Sequence, residues 1–411
     1  MASICNITDE DALHFDFCCC KLITQSQEDL ITQDLNKHQN IRRMKHFISH
    51  LAAAKGSLTA KNAGKKYTFG IKRASTAGIA ADDGGILINT VLGQVSSKTL
   101  GLTHSHEHIY VSSAGLSQIY PERVPKDYVI KEAVDAFIEF KNSGGGTVID
   151  CTTHDLGRDI NLMKEVSEKT GINIIASTGC WMDPPRSFQA LNPEELAALY
   201  IRECTVGIEG TNIKAGIIKC AHETGVTWKK GEGFTRVGEL TARACALAAK
   251  ETGLPITTHT ECKERVGLAQ IEIFKEVGVD LNRVYIGHCN DAWDMSYLTD
   301  MLEQGVWIGL DRTGPDSRRH DGRPRLEDRI NTIKYLIDHN WAHRIMLSHD
   351  WMVYMGFLNH DMAVRRRKQN PDSYCFILRQ VVPKLMEMGV TKETIHQILV
   401  ENPRNFFENA K

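Results

Sequence analysis

His106 and His108 stand one residue apart at the end of a short apolar run, Leu100-Gly-Leu-Thr-His-Ser-His-Glu-His. Side chains two positions apart on a strand point to one face, so the pair can chelate a metal ion through ring nitrogens. A lone His-x-His also has an ordinary reading, in which the rings cap a strand or hydrogen-bond its neighbours. Further apolar runs, however, end in residues of the same kind. Ala-Gly-Ile-Ile-Lys ends in Lys219, Pro-Ile-Thr-Thr-His in His259 and Val-Tyr-Ile-Gly-His in His288. Another run ends in Asp311 and Arg312, and Ile-Met-Leu-Ser-His-Asp ends in His349 and Asp350. Singly, His259 or His288 reads as a hydrogen-bonded interior histidine, Lys219 as a snorkelling side chain or salt-bridge partner, and Asp350 as a helix cap. Jointly, four histidines, a lysine and an aspartate would gather uncompensated charge in one buried place, which is costly. Divalent metal resolves that cost.

Such residues need a repeated scaffold. From Ile86 the chain alternates short apolar runs with helical stretches. The runs are Leu100–Thr103, Thr147–Cys151, Ile172–Ser177, Ala215–Cys220, Pro255–Thr258, Val284–Gly287, Val306–Leu310 and Ile345–Ser348. None alternates cleanly with polar residues, which suits parallel strands buried on both faces. Between them, Tyr128–Lys141 carries Val129, Ala133, Phe137 and Phe140 on one helical face, with Gly144 just beyond its end. Val237–Glu251 is Ala-rich and closed by Gly253, and Leu326–Asp338 is a third such stretch. The alternation predicts an α/β fold, a (β/α)8 TIM barrel, with the metal-binding residues at the C-terminal ends of the strands, where barrel enzymes place their chemistry. A doubly wound sheet, the alternative, would carry a Gly-rich phosphate loop after its first strand. Gly144-Gly145-Gly146 precedes a strand instead and reads as a helix stop.

The balance of 49 Lys plus Arg against 51 Asp plus Glu leaves no bulk basic field to hold nucleic acid. No apolar run reaches the length that spans a bilayer, so no membrane partner is expected. Twelve cysteines lack paired spacing, and Cys18, Cys19 and Cys20 are consecutive. That suits a disulfide framework badly, and a reducing, cytoplasmic location is expected. Residues 1–85 differ from the rest, with Lys55, Lys61, Lys65, Lys66 and Lys72 among small residues and Gly84-Gly85 at the end. They are expected to form a poorly ordered extension ahead of a barrel domain at 86–411. The extension reads either as a targeting segment without a clear signal peptide or as an over-long start.

The set His-x-His, Lys, His, His, Asp resembles the amidohydrolase superfamily and, within it, the phosphotriesterase family, including the phosphotriesterase-like lactonases. The resemblance runs from about Asn89 to Phe407. It rests on Thr90-Val-Leu-Gly, His106-Glu-His-Ile, Leu156-Gly-Arg-Asp159, Thr178-Gly-Cys-Trp, Ala215-Gly-Ile-Ile-Lys219, Thr257-Thr-His-Thr, Ile286-Gly-His, Gly309-Leu-Asp-Arg312, Ser348-His-Asp350 and Asn402-Pro-Arg-Asn-Phe.

The resemblance implies a zinc-dependent hydrolase acting on ester bonds at a binuclear centre. His106, His108 and Asp350 would hold the buried ion, His259 and His288 the more exposed one, and Lys219 would bridge both. An ammonium has no lone pair to offer. The family's solution is a carbamate formed on Lys219 from CO2, which two adjacent cations stabilise. Zinc is the expected metal for nitrogen and oxygen donors, with manganese, cobalt or iron as substitutes. An acidified, metal-bridging hydroxide would attack the substrate, with Asp350 taking its proton and His288 passing it outward. His104 is expected on the same strand face as His106, one step deeper in the core. His154 and His349 are expected to make structural hydrogen bonds.

For the substrate, Arg312 matches the pattern of the lactonase-like members, and the stretch Asp311 to Leu326 is short and polar. A lactonase with promiscuous phosphotriesterase activity is therefore expected. Trp181 instead resembles organophosphate hydrolases, where an aromatic residue walls the leaving-group pocket. A true organophosphate triesterase (aryldialkylphosphatase) is the alternative, and an amidase or a non-catalytic metal-binding protein are further ones. Trp351 opens an apolar segment reaching Phe357 that could line an acyl pocket. Arg318, Arg319, His320, Arg323 and Arg325 form a basic loop, either solvated surface or an attractor of anions. Arg365-Arg366-Arg367-Lys368 reads as solvated surface. The expected partner is a small-molecule ester, lactone or organophosphate; the resemblance implies a homodimer, with a monomer as the alternative.

Overall fold

The structure, a computed structural model, describes residues 81–316 and 322–409. The expected runs form the strands β1 (Leu102–Glu107), β2 (Gly145–Asp150), β3 (Asn173–Gly179), β4 (Ile217–His222), β5 (Ile256–Thr260), β6 (Val284–Ile286), β7 (Trp307–Leu310) and β8 (Ile345–Leu347). Each pairs in parallel with the next in chain order. The last returns to the first. Ser105 Oγ donates to Leu347 O at 3.4 Å, His106 N to Ser348 Oγ at 3.0 Å, and Asp350 N to His106 O at 3.2 Å. The sheet is a nearly closed (β/α)8 barrel.

Helices α1 (Lys126–Asn142), α2 (Ile160–Thr170), α3 (Pro193–Thr205), α4 (Arg236–Thr252), α5 (Val266–Val277), α6 (Met295–Leu302) and α7 (Leu326–Asp338) cover the outside, and α8 (His360–Lys368) lies in the connection after β8. Helix α1 buries Val129, Ala133, Phe137 and Phe140, as its periodicity predicts. The Asp159 and Thr235 side chains cap α2 and α4, and Asn192 and Glu195 cap α3 reciprocally. Helix α4 stops at Gly253, whose φ of +72° a Cβ would disfavour.

Strand side chains alternate between two faces. Ile149, Cys151, Ile175, Ile217, Tyr285, Trp307 and Met346 fill the barrel, joined by Ile88 from the hairpin Leu87–Thr90/Gly93–Ser96 and by Phe406 and Phe407. Val148, Ile174, Ile218, Ile256, Val284, Ile308 and Ile345 face the helices. The same parity aims the strand ends: Lys219 lies two residues beyond inward Ile217, and Asp311 four beyond inward Trp307.

Strand β1 breaks this parity. Its register against β2 shifts between His104 and Glu107, and such a bulge lets consecutive residues face one way. Ser105 Oγ meets the Tyr285 hydroxyl at 3.0 Å inside the barrel, and His106 also points inward. His104 turns outward, stacks on Phe140 of α1 at 4.3 Å and places Nε2 2.9 Å from Tyr374 O. The expectation that His104 shares the face of His106 is therefore corrected: it is a core residue of the helix layer.

The eight cysteines among the described residues are free and buried. No helix among the described residues is long and apolar enough to cross a membrane. Of the expected extension, residues 1–80 lie outside the described residues, as do Arg318, Arg319 and His320 of the basic loop. Within 81–85, Asp83 Oδ1 accepts hydrogen bonds from Gly85 N at 3.0 Å and Ser96 Oγ at 2.7 Å.

Candidate metal centre

At the C-terminal mouth of the barrel, His259 of β5 and His288 just after β6 face each other, with His259 Nδ1 and His288 Nε2 2.8 Å apart. Their other nitrogens meet carboxylates. His259 Nε2–H donates to Glu223 Oε2 at 2.7 Å, and His288 Nδ1–H to Asp311 Oδ1 at 2.9 Å. A carboxylate only accepts, so each ring's proton sits on the outer nitrogen. The two facing nitrogens therefore present lone pairs to each other, an arrangement that a cation between or beside them relieves.

A second set lies alongside. His106, His108 and Asp350 each bring one ligand atom within 4.8 Å of the others. Asp350 Oδ1 is 3.3 Å from His108 Nε2 and 3.9 Å from His106 Nε2. His108 Nδ1 meets Thr152 Oγ1 at 2.8 Å, and His106 Nδ1 lies 2.9 Å from Asp311 Oδ2, so both rings aim Nε2 into the mouth. Lys219 joins the second set, its Nζ donating to His106 Nε2 at 2.8 Å. Asp311, with one oxygen toward His106 and the other toward His288, orients a histidine in each.

Burial dominates the electrostatics. It holds the Lys219 ammonium below the ordinary lysine range and pushes His259 down to about 4 against the pull of Glu223. The hydrogen bond from His259 lowers Glu223 to about 2. Burial would raise the Asp350 carboxyl, but His288, His108 and Arg312 hold it well below its usual value. Arg312 donates from Nε to Asp350 Oδ2 at 3.0 Å and from Nη1 to Asp291 Oδ2 at 2.6 Å. His288 and Asp350 both adopt positive φ, 62° and 52°. That strain at two site residues is typical of places where surrounding contacts override backbone preference.

The donor set thus fits divalent metal: imidazole lone pairs and an ionised carboxylate converge, with the opposite edges of His259 and His288 fixed by acids in the manner that orients metal-binding histidines. In the other histidine clusters the carboxylates are taken up by hydrogen bonds of their own. Glu107 Oε1 accepts from Ser348 Oγ at 2.7 Å and from His349 Nδ1 at 2.6 Å, while Oε2 accepts from Trp351 N at 2.9 Å. His349 Nε2 in turn accepts from Ile377 N. His154 bonds Gly179 O, and its neighbour Asp155 holds the Trp181 and Asp183 amides. His154 and His349 thus make structural bonds.

On the substrate side, Trp181 sits edgewise to His259, ring centroids 6.1 Å apart, and 6.4 Å from Phe357 with planes 21° apart. Met352, Met355, Val111 and Leu156 complete this apolar wall with Trp181. Trp351 is not part of this wall: it is buried in the principal core, with the Arg366 guanidinium 4.5 Å over its ring.

Sequence reasoning gave no role to Glu223, Asp311, Thr152 or Glu107. For Asp311 the inward parity of β7 was an available signal. Glu223 follows β4 in the connection containing the hairpin Trp228–Lys229/Gly233–Phe234, where no periodicity points to its partner.

A (β/α)8 barrel carrying these histidine and aspartate clusters defines a barrel protein able to hold metal at its mouth. The phosphotriesterase family profile matches residues 86–407, and the chain belongs to that family. It is 36% identical over 331 residues to a phosphotriesterase homology protein of Mycobacterium tuberculosis, covering 78% of this chain and 97% of that one. It is 34% identical over 315 residues to an aryldialkylphosphatase of Saccharolobus solfataricus, covering 76% and 96%. It is 27% identical over 354 residues to an N-acetyltaurine hydrolase of Xenopus tropicalis, covering 78% and 97%.

Proposed function

We propose that this hydrolase uses two divalent ions, zinc by donor type, to cleave carboxylic-ester bonds, lactones in preference to phosphotriesters. The facing lone pairs of His259 and His288 beside the set His106, His108 and Asp350 support the binuclear reading. When bound, the ions would supply Lewis acidity to a water and to the substrate oxygen. The protein's own groups do the rest. Asp350, ionised and held by Arg312 Nε at Oδ2, takes a proton at its carboxylate.

Lys219 enters this reading as a carbamate. Its buried amine is held below the ordinary lysine range, which favours the neutral form that attacks CO2. The new N–C bond forms as a proton is released to water, and the product shares one negative charge over two oxygens that have lone pairs to donate, where the ammonium had none.

The observation that carries the lactone preference is the fixing of Arg312. Asp291, which accepts its guanidinium, also accepts Arg329 Nη2 at 2.8 Å, so a long cationic side chain is locked beside Asp350. A flat lactone needs less room there than a phosphotriester with three substituents. Trp181 and Phe357 favour a second reading, an aryl triester whose leaving group rests on the aromatic wall. The test is kcat/KM on γ- and δ-lactones, a diethyl aryl phosphotriester and an N-acyl amide at matched metal loading. A triester or amide faster than every lactone by tenfold would displace the lactone reading.

A further inference from the structure

The basic run on α8 does not behave as one solvated face. Arg365 Nε turns back to Asp361 O, and Arg367 reaches Asn370 O at 2.8 Å and Glu132 at 3.5 Å. Arg366 does neither. Its guanidinium lies 4.5 Å over the Trp351 ring and, among the described residues, hydrogen-bonds no carboxylate. It is half-buried, and that loss of water lowers its affinity for its proton. The one carboxylate whose charge acts on it is Asp350, which is occupied by Arg312 Nε and approached by His108 Nε2.

A half-buried cation without an anion is costly, and stacking on an aromatic face returns only part of the lost hydration. The cost rises if divalent ions lie on the same side, because like charges then repel. An anionic group brought by the ligand would remove it. A guanidinium held flat against an indole keeps its N–H fork in plane and free to bind an oxyanion through two hydrogen bonds.

We propose that Arg366, backed by Trp351, is a binding site for a small oxyanion, a carboxylate or sulfonate, carried by the substrate at a distance from the scissile bond. The proposal rests on the hydrolase reading above and adds a substrate class to it: ester or amide substrates with a pendant negative charge. The apolar wall at Trp181 then takes the uncharged part of the molecule and Arg366 the charged part.

The test has two arms, both on the full-length, metal-loaded protein. In the first, calorimetry measures the binding of propanesulfonate to the wild type and to Arg366→Gln. Binding should weaken at least about tenfold in the variant and be regained only in small part in Arg366→Lys, which keeps the charge but not the fork. Equal affinity in wild type and Arg366→Gln, meaning that any sulfonate bound resides elsewhere, would overturn the proposal. In the second, kcat/KM is compared for 4-nitrophenyl butyrate and 4-nitrophenyl hydrogen glutarate. The anionic-to-neutral ratio should fall about tenfold in Arg366→Gln; a ratio within twofold of wild type, even with both rates reduced by misfolding, would overturn it. If neither ester is hydrolysed, the carboxylic-ester reading fails while the binding arm still decides the subsite.

Discussion

His259 and His288 approach to 2.8 Å through the two nitrogens that carry no proton, because Glu223 and Asp311 hold both protons on the far edges of the rings. Two lone pairs at that separation repel, and the surrounding fold nevertheless keeps them together. Metal is the simplest relief. Protein purified from medium supplied with zinc should contain about two equivalents per chain by elemental analysis. His259→Ala should retain about one. Glu223→Gln, which loosens the orientation of His259, should release one ion roughly ten- to a hundredfold more readily to a chelator. A wild-type content of one or none would remove the binuclear reading.

Lys219 tests the bridge. Its Nζ lies 2.8 Å from His106 Nε2 in a fully buried position, where an ammonium is poorly accommodated. Protein equilibrated with 13C-bicarbonate should show a carbamate carbon signal that is absent from Lys219→Ala. That variant should lose activity and regain part of it with metal and a short carboxylic acid. Full activity in Lys219→Arg, which cannot form the carbamate, would exclude the bridging role.

What the sequence makes legible follows from how barrels are built. An apolar run with a polar residue at its end reads as a buried strand delivering one side chain to the mouth, and Lys219, His259, His288 and Asp350 all arrive that way. The bulge in β1 is invisible in the same terms, because a broken alternation looks like any other sequence of polar residues; only pairing against β2 reveals that Ser105 and His106 both face inward. Glu223 lies in a connection, and its meeting with His259, 36 residues away, depends on how that connection folds over β5. Arg366 is hidden by composition. Within Arg-Arg-Arg-Lys nothing distinguishes the residue that turns over Trp351 from its neighbours.

The outward turn of His104 has a consequence for acid stability. Burial against Phe140 pushes its imidazole down to about 3, whereas an unfolded histidine titrates near 6.5. The unfolded chain therefore takes up a proton that the folded chain refuses. Stability from this group is complete above about pH 6.5 and falls as the pH drops toward 3. At pH 5 the loss relative to pH 7 is on the order of 2 kcal/mol. The Tm of the metal-free protein should fall between pH 7 and 5, and His104→Gln should flatten that fall while lowering the plateau. An unchanged slope in the variant would show that other groups govern it.

The extension is tested by truncation. The contacts of Asp83 with Gly85 and Ser96, and of Ser97 Oγ with Glu408 at 2.5 Å, lie at or beyond residue 83. A chain starting at residue 81 should keep metal content, hydrolysis and Tm within error of the full chain. Insolubility of that chain would assign residues 1–80 a structural role.

Arg312 decides between the two substrate readings, and its geometry sharpens what its removal should do. Nε holds Asp350 Oδ2, Nη1 holds Asp291, and Arg329 Nη1 fixes the Arg312 carbonyl at 2.8 Å. The side chain is therefore a rigid wall and an anchor at once. Arg312→Ala removes both. Losing the anchor lets the Asp350 carboxyl rise toward its ordinary range and drift from His108, so kcat should fall for every substrate. Losing the wall opens space beside Asp350, which helps only substrates that lacked it. A lactone carbonyl is flat and already fits; a phosphotriester passes through a bulkier five-coordinate geometry and gains. The phosphotriester-to-lactone ratio of kcat/KM should therefore rise roughly tenfold, about 1.4 kcal/mol of relative barrier, while both absolute values decline. Arg312→Lys, which keeps a charge near Asp350 but not the fork to Asp291, should recover part of the kcat. If the ratio stays constant while both rates fall, Arg312 acts only by positioning Asp350, and the argument that it sets the preference for lactones is wrong.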